Sequence, residues 1–354
     1  MKIALLAPPY LPVPPPLYGG TERIVSLLAE GLVGRGHDVT LFASGDSTTK
    51  AKLVSVFEKA LGNSGFGKGD NEKPLAHYHA CYARHLEFDI IHSHGQYVSL
   101  KEAEGLSTPV VFTMHGSYYP GETTEEKRAI LTQYKNLNYI SISDNQRGGM
   151  RELNYVATVY NALDIADYTF TPKKNSDYLL WVGRASPKKG VLEAIQTAKM
   201  VGIRLEVAAA IDPIDRKYFN EVIKPHIDGV GIVYHGEIGH DALVELYAGA
   251  WGVLYPISWH EPFGLVMIES MATGTPVVAY NSGSVMEIIE NGKTGFVVEK
   301  AAGIDGLARA VQKIGSIDRA ACRDRVVKYF SSQTMVDGYE AVYQTLVAEG
   351  KRNL

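Results

Sequence analysis

Two acidic residues, Glu261 and Glu269, lie eight positions apart in a stretch that predicts a loop, a helix, a turn and a short buried strand. The pattern places Glu261 just before the helix and Glu269 about two turns along it. The backbone N–H groups of Gly264 and Leu265 fall at the predicted helix start, where an anion is favoured. A phosphate there, flanked by carboxylates that accept hydroxyl protons, predicts a site for a phosphorylated sugar. The alternative is an amphipathic helix with a solvent-facing Glu269 and an incidental Glu261 in the loop before it.

Two basic residues, Arg184 and Lys189, form a second group that could act on a phosphate. They belong to the sequence GRASPKKG, which lies between the apolar run 178–183 and a helix predicted over 191–201. Negative charge grows on a diphosphate oxygen as its bond to a sugar breaks, and fixed cations stabilise that transition state more than the ground state. The pair therefore predicts a site for a leaving diphosphate, with Lys188 as the alternative to Lys189. A solvated basic turn is the other interpretation.

These motifs resemble those of a known family. The sequence EPFGLVMIESMATGTPVVA is similar to the signature of family 4 of the retaining, nucleotide-sugar-dependent glycosyltransferases, and GRASPKKG is similar to that family's G-R-x4-K-G pattern. The resemblance covers nearly the whole chain. It implies the GT-B fold, an α/β architecture of two facing Rossmann-like, doubly wound domains with an interdomain cleft. It also implies transfer of a hexose from UDP- or GDP-hexose to an acceptor hydroxyl, with retention of the anomeric configuration.

The resemblance further implies a role for each matching residue. Glu261 would bind the sugar hydroxyls and Glu269 the ribose hydroxyls. The other common glycosyltransferase fold holds a metal with an Asp-x-Asp sequence, which this chain lacks, so the implied enzyme is metal-independent and needs no cofactor. The implied catalytic residues are Arg184, Lys189, Glu261 and His115, and the implied donor-binding residues are Gly19, Gly20, Ile238, Phe263, Gly264, Leu265 and Glu269.

The first half of the chain predicts the elements that carry two of these residues. The apolar run Ile3–Ala7 is typical of a strand buried on both faces. A proline-rich loop with Gly19 and Gly20 follows, and then a helix, capped by Thr21, to about Val33. The glycine pair is either a flexible turn or a place where the backbone approaches a phosphate or a sugar closely. The resemblance favours close approach.

Histidines occur where two further buried strands are predicted to end. His94 closes the sequence FDIIHSH, and His115 closes VVFTMH. Each could be a hydrogen-bonded residue at a strand end, while the resemblance implies that His94 contacts the acceptor and that His115 lies close to the sugar ring. The pairs His77/His79 and His92/His94 do not indicate zinc, because no cysteine or acidic ligand set accompanies them at the spacing of a structural site.

Strand and helix patterns alternate along both halves and predict two domains, which also suits a chain of 354 residues. We expect residues 1–160 to form an N-terminal acceptor domain, with a helix over about 333–354 packing back on it. Residues 161–332 would form the nucleotide-sugar donor domain, and 160–164 resemble the segment that crosses between domains in the family. Residues 60–73, rich in glycine and asparagine, predict an exposed loop.

Composition limits the remaining choices. The net charge of −4 argues against a nucleic-acid partner, and two distant cysteines favour a reduced, cytoplasmic setting. No apolar stretch approaches the length of a membrane span, although peripheral membrane contact stays open. The expected partners are a nucleoside diphosphate sugar and a carbohydrate, lipid-linked or small-molecule acceptor.

Three other functions remain as alternatives. A glycoside hydrolase would use the two glutamates as an acid and base. Retaining hydrolases need carboxyl groups about 5–5.5 Å apart, and two residues eight positions apart, the second about two turns along a helix, do not suit that distance. A nucleotide-sugar epimerase on the same fold would change the sugar without an acceptor. A non-catalytic binding protein would bind the nucleotide sugar without turnover.

Overall fold

The computed structural model describes residues 1–17, 19–62, 72–173 and 176–352. The chain forms two compact units. Unit 1 consists of Met1–Ala162 together with Ser332–Leu354, and unit 2 consists of Leu163–Ser331. Within the described part of the chain, no helix has the length and apolar character needed to cross a bilayer.

The elements alternate along the chain, as the sequence patterns predict. The strands of the described residues are β1 (Lys2–Leu6), β2 (Asp38–Phe42), β3 (Lys52–Val54), β4 (Ile90–Ser93), β5 (Val110–Thr113), β6 (Asn138–Ser141), β7 (Tyr155–Thr158), β8 (Tyr178–Arg184), β9 (Arg204–Ala210), β10 (Ile232–Gly236), β11 (Gly252–Tyr255), β12 (Val277–Tyr280) and β13 (Gly295–Val298). The α-helices are α1 (Gly20–Gly34), α2 (Glu72–Tyr82), α3 (Leu100–Ala103), α4 (Glu125–Gln133), α5 (Asp144–Gly148), α6 (Val191–Val201), α7 (Arg216–Tyr218), α8 (His240–Gly249), α9 (Leu265–Ala272), α10 (Val285–Ile288), α11 (Gly303–Lys313), α12 (Arg319–Tyr329) and α13 (Ser332–Arg352).

Each unit is built on a wholly parallel sheet. Among the described residues, unit 1 has seven strands in the order β3-β2-β1-β4-β5-β6-β7, and unit 2 has six in the order β10-β9-β8-β11-β12-β13. The strand order reverses between β1 and β4 in unit 1, and between β8 and β11 in unit 2. Ligands of such sheets bind beyond the carboxyl ends of the strands at this reversal. The loops that follow these four strands are therefore the places to look for a site.

The C-terminal helix α13 belongs to unit 1 and packs against α1. Arg35 Nη1 donates to Glu340 Oε2 at 2.7 Å, and His37 Nε2 lies 3.1 Å from Glu340 Oε1. Tyr339 and Tyr343 turn the apolar face of α13 into the core, and both are fully buried. The helix thus joins a part of the sheet that is remote in sequence.

Two helix starts differ from prediction. Thr21 is not the cap of α1, because the helix begins at Gly20 and Gly19 takes the N-cap position, which glycine tolerates well. The helix α9 begins at Leu265, because Gly264 has a φ of +85°, outside the right-handed helical region. Glu269 consequently lies little more than one turn along α9 rather than two.

Other differences concern weak patterns. The helix predicted from Asp215 to Lys224 is divided into a short α-helix, a π-helical turn over Phe219–Ile223 and a 3₁₀ turn. A regular α-helix cannot continue through Pro225, because proline lacks the backbone N–H. The sequence patterns missed α2 and the short edge strands β3 and β13. Tyr18 and most of the loop predicted over 60–73 lie outside the described residues.

Candidate active site

The reversal of strand order in unit 2 brings two predicted site loops together. The loop after β8 carries Lys189, and the loop after β11 carries Glu261. The backbone N–H of Ser258 donates to the Lys188 carbonyl at 2.9 Å, which ties one loop to the other. Lys189 and Glu261 are 72 positions apart in the sequence, and their side chains form an ion pair with 2.5 Å between Nζ and Oε2. The two motifs identified separately in the sequence thus form one site.

One oxygen of Glu261 accepts three hydrogen bonds. Besides Lys189 Nζ, Oε2 accepts from the Tyr255 hydroxyl at 2.9 Å and from Trp259 Nε1 at 3.0 Å. Among the described residues, no hydrogen bond to Oε1 is present. The carboxylate is therefore fixed through one oxygen, while the other can accept a hydrogen bond from a ligand.

Lys189 is held in a similar way. Its ammonium lies 4.9 Å from the centre of the Trp259 ring, a cation–π distance, and its carbonyl accepts a hydrogen bond from Trp181 Nε1 at 3.2 Å. An ammonium group has three N–H donors, and one of them points to Glu261. The other donors remain able to bind the oxygens of an anionic ligand.

Two glycines allow this close approach. A Cβ on Gly190 would lie 2.0 Å from the Pro256 carbonyl oxygen, and a Cβ on Gly283 would lie 2.3 Å from backbone atoms of Glu261. Both residues also have left-handed backbone conformations, with φ of +73° and +59°. A side chain at Gly190 would push apart the loops that carry Lys189 and Glu261, and one at Gly283 would displace the backbone of Glu261.

The helix α9 contributes the second acidic residue. Glu269 Oε2 accepts a hydrogen bond from the buried Tyr247 hydroxyl at 2.9 Å, and burial, followed by the Glu269 charge, raises the pKa of Tyr247 well above its ordinary value. Tyr247 therefore stays protonated and remains a donor to Glu269. Gly264 and Leu265 occupy the N-cap and the first position of the helix, where free backbone N–H groups are expected.

The remaining predicted residues of unit 2 lie in different surroundings. Arg184 is half-exposed, and its Nη1 pairs with Asp212 Oδ2 at 3.6 Å. Ile238 is half-buried in the turn between β10 and α8. The Phe263 side chain is buried against the Phe330 ring, with 5.8 Å between centroids, and its carbonyl accepts from Ser284 Oγ at 2.5 Å. Phe263 thus serves as an anchor for the loop before α9 and could meet a ligand only through its backbone.

In unit 1, the predicted residues follow β1, β4 and β5. Gly19 and Gly20 stand at the start of α1, beyond the carboxyl end of β1. His115 is partly exposed just beyond β5, and its Nε2 lies 3.0 Å from Nδ1 of His94. His94 itself is 3% exposed, and the partner of its Nδ1 is His115.

Burial keeps the histidines of this region neutral. It lowers the pKa of His92 to about 3 and that of His115 to about 4, and it holds the pKa of His94 well below its ordinary value. His92 is enclosed between the hydroxyls of Thr113 and Tyr343. In the described ranges, no group of three or more His, Cys, Asp or Glu side chains is arranged to hold a metal ion.

Comparison with known proteins identifies the family. A family model described as "Glycosyl transferases group 1" matches residues 168–329, and one described as "Glycosyltransferase Family 4" matches residues 18–166. The chain belongs to family 4 of the glycosyltransferases. The matches extend through both units and across most of the chain.

Individual proteins agree with this identification. Glycogen synthase of Mycobacterium tuberculosis is 25% identical over 397 aligned positions, which span 97% of this chain and 94% of the relative. Phosphatidyl-myo-inositol mannosyltransferase of Mycolicibacterium smegmatis is also 25% identical, over 99% of this chain and 95% of the relative. The structure of Anabaena HepE in complex with UDP and glucose, 18% identical, covers 98% of this chain and all of its own, with a TM-score of 0.75. The glycosyltransferase has the two-domain, Rossmann-like GT-B fold.

Several residues of the site were not singled out from the sequence. Tyr255 and Trp259 bind Glu261, Tyr247 binds Glu269, and Asp212 binds Arg184. Trp259 stands two positions before Glu261, and Tyr255 ends a predicted strand whose carboxyl end carries the site, so both could have been suggested by position. Nothing in the sequence indicates that Tyr247, 22 positions before Glu269, reaches that side chain.

The close approach at Gly190 generates a prediction about the stability of this glycosyltransferase. We expect Gly190→Ala to lower the free energy of unfolding by about 1–3 kcal/mol more than Gly202→Ala, because only the first added methyl meets backbone. Gly202 is a matched control, since its φ of +68° imposes the same conformational cost while its Cβ position is open. Urea unfolding of both variants measures the difference. Equal losses would show that the two loops do not need to approach so closely.

Proposed function

We propose that the protein transfers a hexose from a nucleoside diphosphate sugar to an acceptor hydroxyl, with retention of the anomeric configuration and without a metal ion. The observation that carries this proposal is the ion pair between Lys189 and Glu261, which sets a cation beside a carboxylate with one unengaged oxygen. A diphosphate would bind the Lys189 ammonium, and the hydroxyls of the sugar would donate to the unengaged oxygen of Glu261. Both contacts would be made at one position, beyond the carboxyl ends of β8 and β11.

The donor would be bound by unit 2. Lys189 and Arg184 would bind the diphosphate oxygens, helped by the backbone N–H groups of Gly264 and Leu265 at the start of α9. Glu261 Oε1 would accept from the sugar hydroxyls, and Glu269 from the ribose. The turn containing Ile238 would lie against the base. Phe263 is assigned only a backbone contact.

The reaction would proceed on one face of the sugar. The bond from the anomeric carbon to the diphosphate oxygen breaks, and the acceptor oxygen bonds to that carbon from the same side. The departing diphosphate oxygen takes the acceptor's proton. Lys189 and Arg184 stabilise the charge that grows on the diphosphate, so their effect is larger in the transition state than in the ground state.

Acceptor recognition is assigned to unit 1, at the carboxyl edge of its sheet. His115 would contact a hydroxyl oxygen there, while Gly19 and Gly20 keep the donor-binding role that the resemblance implies, through their backbone N–H groups. The mannosyltransferase relative acts on phosphatidyl-myo-inositol and the glycogen synthase relative on a carbohydrate, so lipid-linked and carbohydrate acceptors are the classes to examine first.

Substitution of Lys189 tests the central assignment. We expect Lys189→Ala to reduce kcat by about 10²–10³, as the loss of a fixed transition-state donor does. The neighbouring Lys188 is exposed, and it contacts the second loop through its carbonyl, which alanine retains, so Lys188→Ala is the matched control and should keep its rate. Release of nucleoside diphosphate during transfer measures both. Turnover near the wild-type rate in Lys189→Ala would remove Lys189 from the mechanism.

Donor identity and stereochemistry are tested together. We expect UDP-hexoses to raise the melting temperature of the protein, because a ligand bound to the folded state stabilises it by mass action. UDP is the first nucleotide to examine, since HepE shares the fold and its complex contains UDP; GDP is the second. Proton NMR of the product formed from an α-linked donor should show an α linkage. A β linkage would contradict retention, and a changed sugar without any acceptor would indicate an epimerase.

The role of Glu269 is tested with a nucleotide that lacks one ribose hydroxyl. We expect the wild-type protein to bind UDP about 10-fold or more tightly than 2′-deoxy-UDP, because a hydrogen bond to a charged carboxylate is lost. Glu269→Ala should bind the two nucleotides equally. The exposed Glu245 lies on α8, and Glu245→Ala should keep the wild-type preference. Isothermal titration measures all six affinities, and a preference that persists in Glu269→Ala would place the ribose elsewhere.

A further inference from the structure

We propose that His94 fixes the proton of His115 on Nδ1, so that His115 offers an N–H donor to a substrate oxygen and does not act as a base. His94 is then a positioning residue, since it acts through His115. The proposal rests on the proposed function for its substrate, a sugar or acceptor hydroxyl, but the protonation of the two rings can be tested without any substrate.

The first step is the contact between the rings. His94 Nδ1 and His115 Nε2 are 3.0 Å apart, and the rings are nearly parallel, 17° apart in orientation. Both imidazoles are neutral, because burial lowers both pKa values far below neutrality. One proton must therefore lie between the two nitrogens, so that one ring donates and the other accepts.

The second step decides which ring donates. Nε2 of His94 is buried and has no hydrogen-bond partner within the part of the chain that the structure describes. If His94 accepted from His115, its own proton would sit on Nε2, and a buried N–H group would be left without an acceptor. Orphaned buried N–H groups are rare in folded proteins. If His94 donates from Nδ1, only a lone pair is left unpaired at Nε2, so we assign the proton to Nδ1.

The surroundings of His94 hold it in this orientation. Its ring lies 4.1 Å from the His92 ring and 6.3 Å from that of Tyr339, centroid to centroid. Both nitrogens of His92 are hydrogen-bonded in turn, Nδ1 with the Tyr343 hydroxyl at 2.6 Å and Nε2 with the Thr113 hydroxyl at 2.8 Å. A ring enclosed in this way cannot flip without displacing its neighbours.

The consequence concerns His115. With its Nε2 accepting from His94, its proton is on Nδ1, which has no partner among the described residues. His115 is partly exposed just beyond the end of β5, where a ligand of unit 1 is expected. An N–H donor recognises a hydroxyl or phosphate oxygen, whereas it cannot remove a proton. This agrees with the reaction proposed above, in which the diphosphate takes the acceptor's proton.

Nuclear magnetic resonance tests the protonation directly. We expect long-range ¹H–¹⁵N correlations of the uniformly ¹⁵N-labelled protein at neutral pH to show that His94 and His115 are both protonated at Nδ1. The signals are assigned by their loss in His94→Gln and His115→Gln. Protonation of His115 at Nε2, or a charged ring at either position, would overturn the proposal.

Two substitutions test the role in transfer. An asparagine amide reaches about as far as Nδ1 of histidine and can still donate to His115, whereas a glutamine amide reaches the position of Nε2. We therefore expect kcat/KM of His94→Asn to be about 5–10-fold higher than that of His94→Gln, chiefly because KM is lower for the substrate that His115 contacts. The free energies of unfolding of the two variants should be equal. Equal losses in the two variants, in step with lost stability, would show a structural role only.

The two proposals fail in different ways. If the wild-type protein binds donor but transfers no sugar, the proposed function is wrong, while the protonation of His94 and His115 is still decided by the NMR spectrum. If transfer is observed and His115 carries its proton on Nε2, the proposed function stands and this inference falls.

Discussion

The hydrogen bonds to one oxygen of Glu261 are the interaction on which the site in unit 2 depends. Lys189, Tyr255 and Trp259 reach that oxygen from the loop after β8, the end of β11 and the loop after β11. The two loops leave the neighbouring parallel strands β8 and β11, between which the strand order reverses, and in open α/β sheets a crevice lies beyond the carboxyl ends of the strands at that point. Glycines at the points of closest approach, Gly190 and Gly283, then allow backbone to lie against backbone. The strand order brings the two loops close together, and the lack of side chains at Gly190 and Gly283 allows the backbones to come into contact.

Stability alone does not account for this ion pair. The side chains of Lys189 and Glu261 are only 15% and 11% exposed, and burying two charges costs solvation that their mutual attraction often fails to recover. Well-packed apolar side chains could fill the same volume at no greater cost. What the charged pair provides instead is a cation and a carboxylate oxygen that are already oriented before a ligand arrives. A preoriented charge stabilises a transition state without reorganising. This stabilisation offsets the solvation lost when the two charges are buried.

Much of the fold and part of the site could be predicted from the sequence, and the division has a physical reason. Continuous apolar strands alternating with helices predicted the parallel sheets, since a strand buried on both faces needs no polar positions. Lys189 and Glu261 were found because each stands in a local motif. Tyr247 and Tyr255 were missed because their contacts are made by folding, and a tyrosine before a helix end or at a strand end is usually a core residue. Glu269 was placed about two turns along α9 rather than little more than one, because the first residue of the helix depends on the backbone of Gly264, a single angle that spacing does not express.

The two units share a topology and differ in the chemistry at their sheet edges. In unit 2 the end of β8, the loops after β8 and β11, and the helix α9 carry charges: two cations, and two carboxylates held by hydroxyl and indole donors. The corresponding edge of unit 1 carries histidines that burial keeps neutral, with glycines at the start of α1. A nucleoside diphosphate is an anion whose charge increases as it leaves, so it requires charged partners. An acceptor hydroxyl is neutral, so the N–H group of a neutral imidazole is sufficient to bind its oxygen. The contrast between the two edges therefore favours the division of labour proposed above, with the diphosphate on unit 2 and the hydroxyl on unit 1.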